Sequence, residues 1–281
     1  MARALDRVTL LAVDTRAPAL AAQALRRSMS AARFARALLL THEAPASLGG
    51  DGLELVDIGP IDSSAAYSRF VLHGLLPFVD TSHVLVTQWD GFVVDANAWD
   101  DAFLQYDYIG AVWPEQPESL SVGNGGFSLR SRRLLEATAA TRWPDEHPED
   151  EALCRRHRAE VEALGLCFAP PSLARRFAFE NEQPRGPAFG FHGCYHLPRV
   201  LDESTLLGWL DALPDPFFRS RDARRLARAL LARRMASAAR ALLQRRLAAG
   251  RRDPNTRLLA WTAAVMSRLQ GVPVSDPGRA S

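Results

Sequence analysis

The chain contains no lysine: all 34 of its Lys and Arg positions are arginine. Lysine chemistry is therefore excluded, including that of a P-loop, whose lysine reaches the phosphates. An Ala-, Arg- and Leu-rich composition is what a GC-rich coding sequence gives, so the bias carries little further meaning. Cysteine is scarce. Cys154, Cys167 and Cys194 are odd in number and widely spaced, which fits neither a disulfide framework nor a zinc cluster and points to a reducing compartment. No apolar run reaches the ~20 residues that a membrane span needs. The apolar run at residues 8–13 is short, meets Asp14 and has no small-residue cleavage site, so it reads as a first strand, not a signal peptide. No G-x-G-x-x-G and no G-x-S-x-G is present. These absences argue against a dinucleotide-binding dehydrogenase, a P-loop NTPase and a hydrolase with a nucleophile elbow.

What is present suits a globular α/β protein: 281 residues, formal charge +2 and 47% hydrophobic residues, enough for one large domain or for a domain with an appendage. Continuous apolar strands are expected at 8–13, 36–41 and 84–87, and a strand of alternating pattern at 53–58. Helices are expected at 19–32, after Pro18, and at 65–78, capped by Ser63 and Ser64. This rhythm predicts a mostly parallel sheet flanked by helices. Further on come a short helix at 99–104, a strand at 106–113, and residues 127–130 leading into a helix at 131–139. A polar loop at 141–148, a helix at 149–164 and an irregular stretch at 170–186 follow. Beyond Phe217 the character changes. Residues 219–252 hold many arginines and Asp222 as their one acid, and Leu231, Met235, Ala238 and Leu242 recur at helical spacing. The expected organisation is a sheet domain over 1–213, a helical extension over 214–270 and a disordered end over 271–281.

Candidate chemistry gathers at the fourth strand. A buried strand that ends on an acid and a glycine delivers a carboxylate to a ligand crevice. Gln88 and Asp90 fall on one face of that extended segment. Asp90 can hold a cation, and Gln88 a hydroxyl or a water. A hard cation on a diphosphate needs few protein ligands. His192, between Gly190 and Gly193, is a candidate distant ligand, and His196 is an alternative. Glu149 and Asp150 open a helix, where acids are favoured by the dipole in any protein. They are also the candidate general base, expected to be ionised at neutral pH, and spacing does not say which of them points inward. Gly123, Asn124, Gly125 and Gly126 form a loop that lets backbone N–H groups approach a ligand. Trp89, Trp99, Tyr106, Tyr108 and Trp113 suit sugar stacking and suit a core equally.

Five motifs occur in order: VLVTQWDGF at 84–92, YDYIGAVWP at 106–114, GNGGFSLR at 123–130, PED at 148–150 and FGFHG at 189–193. Together they resemble a bacterial family of unknown function that is similar to GT-A glycosyltransferases, over roughly residues 8–199. The resemblance implies the GT-A fold, a Rossmann-like nucleotide-binding sheet. It implies transfer of a sugar from a nucleotide sugar to a glycan or lipid-linked hydroxyl, aided by Mn²⁺ or Mg²⁺. On this resemblance Asp90 matches the last acid of the D-x-D metal motif, with Gln88 where the first Asp usually stands. His192 matches the late metal-binding His. Asp150 or Glu149 matches the base of inverting transferases, which follows a Gly-Gly pair equivalent to Gly125 and Gly126. Asp14 and Thr15 stand where the nucleotide base docks. The alternatives are a non-catalytic carbohydrate- or nucleotide-binding protein on the same fold, and a metal-dependent phosphoester hydrolase, which would want more clustered His and Asp ligands.

The arginine-rich extension reads either as solvated helices packed on the domain or as a reversible contact with an anionic membrane, with Leu231, Met235 and Leu242 as its apolar side. Nucleic acid is not expected, because arginine without interleaved aromatics is a poor stacking surface. The expected location is the cytoplasm, peripheral at the inner face of the membrane.

Overall fold

The computed structural model describes residues 3–271, so the end expected to be disordered lies, apart from Gly271, outside the described residues. Two compact units divide the chain, Met1–His192 and Gly193–Ser281. The change in composition near Phe217 falls inside the second.

In the first unit β1 (Arg3–Val13), β2 (Ala32–Thr41), β3 (Leu53–Asp57) and β4 (His83–Thr87) run parallel. The helix α1 (Pro18–Ala31) joins the first pair, and α2 (Ser64–His73) leads from β3 to β4. A short β5 (Gly91–Val93) follows, then β6 (Tyr108–Ile109), β7 (Phe127–Ser131) and the helix α3 (Arg132–Ala140). β7 is antiparallel to β4, and β6 is antiparallel to β7. The order across the six-stranded sheet is β3-β2-β1-β4-β7-β6. The chain steps outward from β1 to β3, then returns to the other side of β1. That reversal opens a crevice beyond the carboxyl ends of β1 and β4, where open α/β sheets take their ligands.

Both faces of the sheet are covered, and the strands alternate accordingly. Leu10, Ala12, Leu39 and Leu85 join α1 and a cluster of phenylalanines on one face. Leu11, Val13, Leu38, Leu40, Val84 and Val86 meet Val71 and Leu75 on the other. Burial on two sides is why these strands read as unbroken apolar runs.

Several expectations shift. Residues 127–131, expected only as a lead into a helix, are themselves a buried strand that runs directly into α3. Phe127 and Leu129 sit in the core while Ser128 and Arg130 are buried between them, and that polar alternation hid the strand. The strand expected over 106–113 shrinks to two residues. α2 stops at His73, because Gly74 follows and Pro77 cannot continue the ladder. The stretch read as irregular holds α6 (Pro171–Phe177), with Pro171 at its first turn. The helix at 149–164 is three pieces: α4 (Glu149–Glu151), a widened π turn (Ala152–Arg156) and α5 (Arg158–Ala163). A second sheet, ordered β5-β9-β8, pairs β5 antiparallel with β9 (Gly190–His192) and sets β8 (Ala178–Phe179) parallel to β9.

The second unit is helical: α7 (Leu197–Val200), α8 (Glu203–Ala212), α9 (Arg221–Ala232), α10 (Ala236–Ala248) and α11 (Pro254–Leu269). Asp202, Ser220 and Asp253 cap three of them through their side chains. The stripe of Leu231, Met235, Ala238 and Leu242 is not one helix face. Arg234 at φ 59° breaks the chain between α9 and α10, and Ala238 and Leu242 are fully buried. Part of the arginine content is internal bracing. Arg246 is buried and donates to the Phe218 and Ser220 carbonyls, and Arg245 donates to those of Leu210 and Leu213. No described helix is long and apolar enough to cross a membrane.

Candidate active site

Residues 123–126 are the hub. β4 and β7 pair through Thr87 and Phe127, and the Gln88 N–H donates to the Gly126 carbonyl at 2.9 Å. Gly91 pairs with His192 across β5 and β9. The register alone therefore brings Gln88, Asp90 and His192 to one end of the loop. A Cβ on Gly126 would overlap the His192 ring, and one on Gly125 would overlap the Glu149 carboxyl. All four loop residues are buried, and Asn124 stands at φ 70°. The Gly125 N–H donates to Asp150 Oδ2 at 3.2 Å. The glycines thus make room for the protein's own acids and histidine.

His192 lies between two carboxylates. Its Nε2 is 3.3 Å from Asp90 Oδ1 and 3.2 Å from Gln88 Oε1; its Nδ1 is 3.1 Å from Glu180 Oε1. Asn124, whose Oδ1 accepts from the Phe127 N–H, brings Nδ2 to 3.0 Å from the same Nδ1. Gln88 is fixed from behind, donating through Nε2 to the Tyr67 hydroxyl at 3.0 Å. Burial works against a charge on His192, yet Asp90 and Glu180 overcome it and hold the imidazole pKa well above its ordinary value. Glu180 is itself kept low against burial by its bond to His192.

On the other end of the loop the two acids differ. Asp150 is half-buried, with Oδ2 on the Gly125 N–H and Oδ1 on the Glu151 N–H at 2.8 Å. Glu149 is buried at 6% exposure, and its Oε1 is 3.8 Å from Arg130 Nη2, a guanidinium nitrogen with no hydrogen-bond partner of its own. Burial, then the Asp150 charge, push the Glu149 carboxyl up to about 7, with Arg130 opposing. The expectation of an ionised pair at neutral pH is therefore corrected for Glu149, because desolvation outweighs the helix start.

A test of this environment follows. Below pH 4.5 the Glu149 carboxyl is protonated folded and unfolded alike. Between 4.5 and about 7 the unfolded chain releases the proton first, so stability falls as pH rises, and above about 7 that loss is complete. A shift of this size corresponds to on the order of 3 kcal/mol. Denaturant unfolding at pH 4.5 and pH 8 is expected to show a smaller decline in Glu149→Gln than in the parent. Parallel declines in the two proteins would count against a buried, proton-holding Glu149.

Asp14 and Thr15 follow the carboxyl end of β1, and Asp14 lies near enough to Asp90 for the two charges to interact. Asp14 accepts from the Arg16 and Ala17 N–H groups at 2.8 and 2.7 Å, and burial, with Asp90 adding to it, raises its carboxyl. Thr15 reaches the Ile61 carbonyl at 3.5 Å. His196 is buried in the second unit. Of the aromatics, Trp99, Tyr108 and Trp113 are core residues, and Trp99 packs edge-on to Phe189 at 5.0 Å; Trp89 and Tyr106 are half-buried.

Does the cluster at His192 suit a divalent cation? Among the described residues no group of three or more His, Cys, Asp and Glu side chains converges on a metal position. Asp90 and His192 nevertheless stand at the spacing of shared ligands, since donors at ~2.1 Å from one cation lie about 3 Å apart. The Gln88 oxygen adds a neutral third donor. Glu180 on Nδ1 stands where an outer carboxylate orients the ligating histidine in metal sites generally. The donor set fits a cation that takes its remaining ligands from phosphate and water.

Sequence reasoning missed Glu180, Tyr67 and Arg130 as site residues. Glu180 reaches His192 only because β8 and β9 pair in parallel, and a two-residue strand leaves no periodicity to read. Tyr67 falls within the helix expected at 65–78, where nothing in the sequence marks one aromatic as a site residue. Arg130 lay inside a recognised motif, without a sign that it was buried.

Comparison with known proteins gives the following. Residues 53–192 match the family described as "Protein of unknown function (DUF5672)". No curated protein matches. Among solved structures, the galactosyltransferase LgtC in complex with donor and acceptor sugar analogs is 12% identical at a TM-score of 0.38, over 66% of this chain and 86% of that one. The apo-form glycosyltransferase GlyE of Streptococcus pneumoniae TIGR4 is 15% identical at 0.41, over 67% of this chain and 54% of its own. The bifunctional IspDF from Campylobacter jejuni is 13% identical at 0.39, over 69% and 54%. Likeness this distant says nothing about what this chain does.

Proposed function

We propose that this chain, with its DUF5672 domain over residues 53–192, is a glycosyltransferase that moves a sugar from a nucleotide-sugar donor to a hydroxyl of a glycan or a lipid-linked acceptor. One observation carries the reading. Two adjacent glycines of a single buried loop divide the site, with Asp90, Gln88 and His192 against Gly126 and with Glu149 and Asp150 against Gly125. A diphosphate holder and a proton acceptor thereby stand on either side of one peptide. The five motifs and their resemblance to GT-A enzymes support the same assignment.

Each residue has a part. Asp90 and His192, with the Gln88 oxygen, would hold Mn²⁺ or Mg²⁺; such an ion stabilises charge on a departing diphosphate. Glu180 orients the His192 ring by accepting from its Nδ1. Asp150, the more exposed acid, takes the acceptor hydroxyl's proton as that oxygen forms its bond to the anomeric carbon. The bond from that carbon to the nucleoside diphosphate breaks, and the electron pair leaves with the diphosphate. A single displacement of this kind inverts the anomeric centre. Glu149 keeps its proton near neutrality and leaves Asp150 as the base. Asp14 and Thr15 border the place for the nucleotide. Gly123 and Asn124 complete the loop that separates the two halves of the site.

The test is a panel of nucleotide sugars scored by thermal shift with and without Mn²⁺, followed by assay of nucleoside diphosphate release. One donor is expected to raise the unfolding midpoint, because a ligand bound only by the folded state stabilises by mass action. The same donor should release its diphosphate when acceptor is present. Donor binding without release under any condition would favour the non-catalytic alternative. No shift with any donor would remove the reading.

A further inference from the structure

The two units carry opposite charge. Met1–His192 has eighteen arginines against twenty-five acids, and Gly193–Ser281 has sixteen arginines against seven. The formal charges are −7 and +9. The near-neutral total conceals a basic unit.

Within that unit α11 is apolar on two opposite faces. Thr256, Ala263 and Ser267 are buried, along the side that packs in the unit. At 100° per residue, Leu258, Trp261, Val265 and Leu269 fall on the reverse side. Leu258 is 60% exposed, Trp261 65% and Leu269 84%. These are three of the four large hydrophobic side chains that stand exposed among the described residues. Arg257 and Arg268 border one edge of the stripe, Arg251 and Arg252 precede the helix, and α11 itself contains no acid.

An apolar stripe with a tryptophan, bordered by arginine and lacking acids, is the composition of a helix that lies in a lipid headgroup layer. We propose that the exposed face of α11 docks this protein reversibly on an anionic membrane. Leu258, Trp261 and Leu269 would enter the headgroup–acyl boundary, and the flanking arginines would meet anionic headgroups. The charge decides among occupants. A second copy docked through the same face would bring one +9 unit against another, and a neutral surface would leave the arginines unanswered. The residues differ from those of the sequence expectation, since Leu242 is internal and the accessible apolar groups lie on α11. The proposal is independent of the activity assigned above.

The experiment is co-sedimentation of the full chain with phosphatidylcholine vesicles, with and without phosphatidylserine. Binding is expected only with phosphatidylserine and should weaken as salt is added, because screening shortens the reach of the arginines. The triple variant Leu258→Ser, Trp261→Ser, Leu269→Ser changes only exposed positions. It is expected to keep the parent unfolding midpoint and to lose more than about tenfold in partitioning. Arg257→Gln with Arg268→Gln should reduce the salt dependence. Failure of the parent to sediment with anionic vesicles would overturn the proposal, as would equal binding by the triple variant. A dimer in sedimentation velocity that the triple variant abolishes would reassign the face to self-association.

Discussion

Asp150→Asn is expected to bind the nucleotide sugar as the parent does and to turn it over about 10²–10⁴ times more slowly, the usual contribution of a positioned general base. The substitution keeps size and removes basicity. It has one structural cost. The two Asp150 oxygens each accept a backbone N–H, from Gly125 and from Glu151. An amide offers one acceptor oxygen, so one of those N–H groups loses its partner, at about 1 kcal/mol. Donor affinity and unfolding midpoint therefore serve as controls. Glu149→Gln is the companion variant. It carries no charge at any pH and is expected to lower the rate far less, since Glu149 is buried and already holds its proton up to about pH 7. Parent-like rates in both Asp150→Asn and Glu149→Gln would leave the acid pair as a helix start and nothing more. A larger loss in Glu149→Gln than in Asp150→Asn would exchange their roles.

How much of this was legible beforehand differs by kind of contact. The parallel core strands could be read from residues 8–13, 36–41 and 84–87, because burial on both faces forces continuous apolar runs. Asp90 and His192 could be proposed as partners, since each adjoins a glycine that a tight backbone approach demands; Gly91 and His192 do pair across β5 and β9. Hidden were contacts made by polar residues inside the core. β7 alternates Phe and Leu with Ser and Arg, so its pattern resembled a half-exposed strand or a loop, while both of its faces are buried. Glu149 was misjudged from position alone: a helix start lowers a carboxyl pKa and burial raises it, and one sequence does not say how deep the helix start lies. The glycine loop was legible as a place of close approach. Which groups approach it, Glu149 and His192 rather than a phosphate, depends on long-range pairing.

Asp90→Ala is expected to abolish the part of nucleoside diphosphate binding that depends on Mn²⁺ while leaving the fold intact. Asp90 is half-buried in the turn between β4 and β5, where the Gly91 N–H donates back to the Gln88 carbonyl. The segment expected to be extended through Asp90 therefore folds over after Thr87, and the hydrophobic residues of β4 do not depend on Asp90. Loss of an outer carboxylate from a metal-bound histidine costs ~10–100-fold in metal affinity. Glu180→Gln should fall in that range, and removal of the ligand itself should cost more. His192→Ala should weaken binding less than Asp90→Ala, because water and phosphate oxygens can replace one neutral ligand. Calorimetric titration of the diphosphate, with Mn²⁺ and with a chelator, separates the cases. Ion binding also requires the ring to give up the proton that Asp90 and Glu180 favour, so Mn²⁺ should release protons on binding and bind more weakly as pH falls. Unchanged affinity in Asp90→Ala would end the assignment of Asp90 as a ligand. Equal affinity of the parent with Mn²⁺ and with chelator would remove the ion from the site and leave the charged His192 ring as the nearest cation to the phosphates.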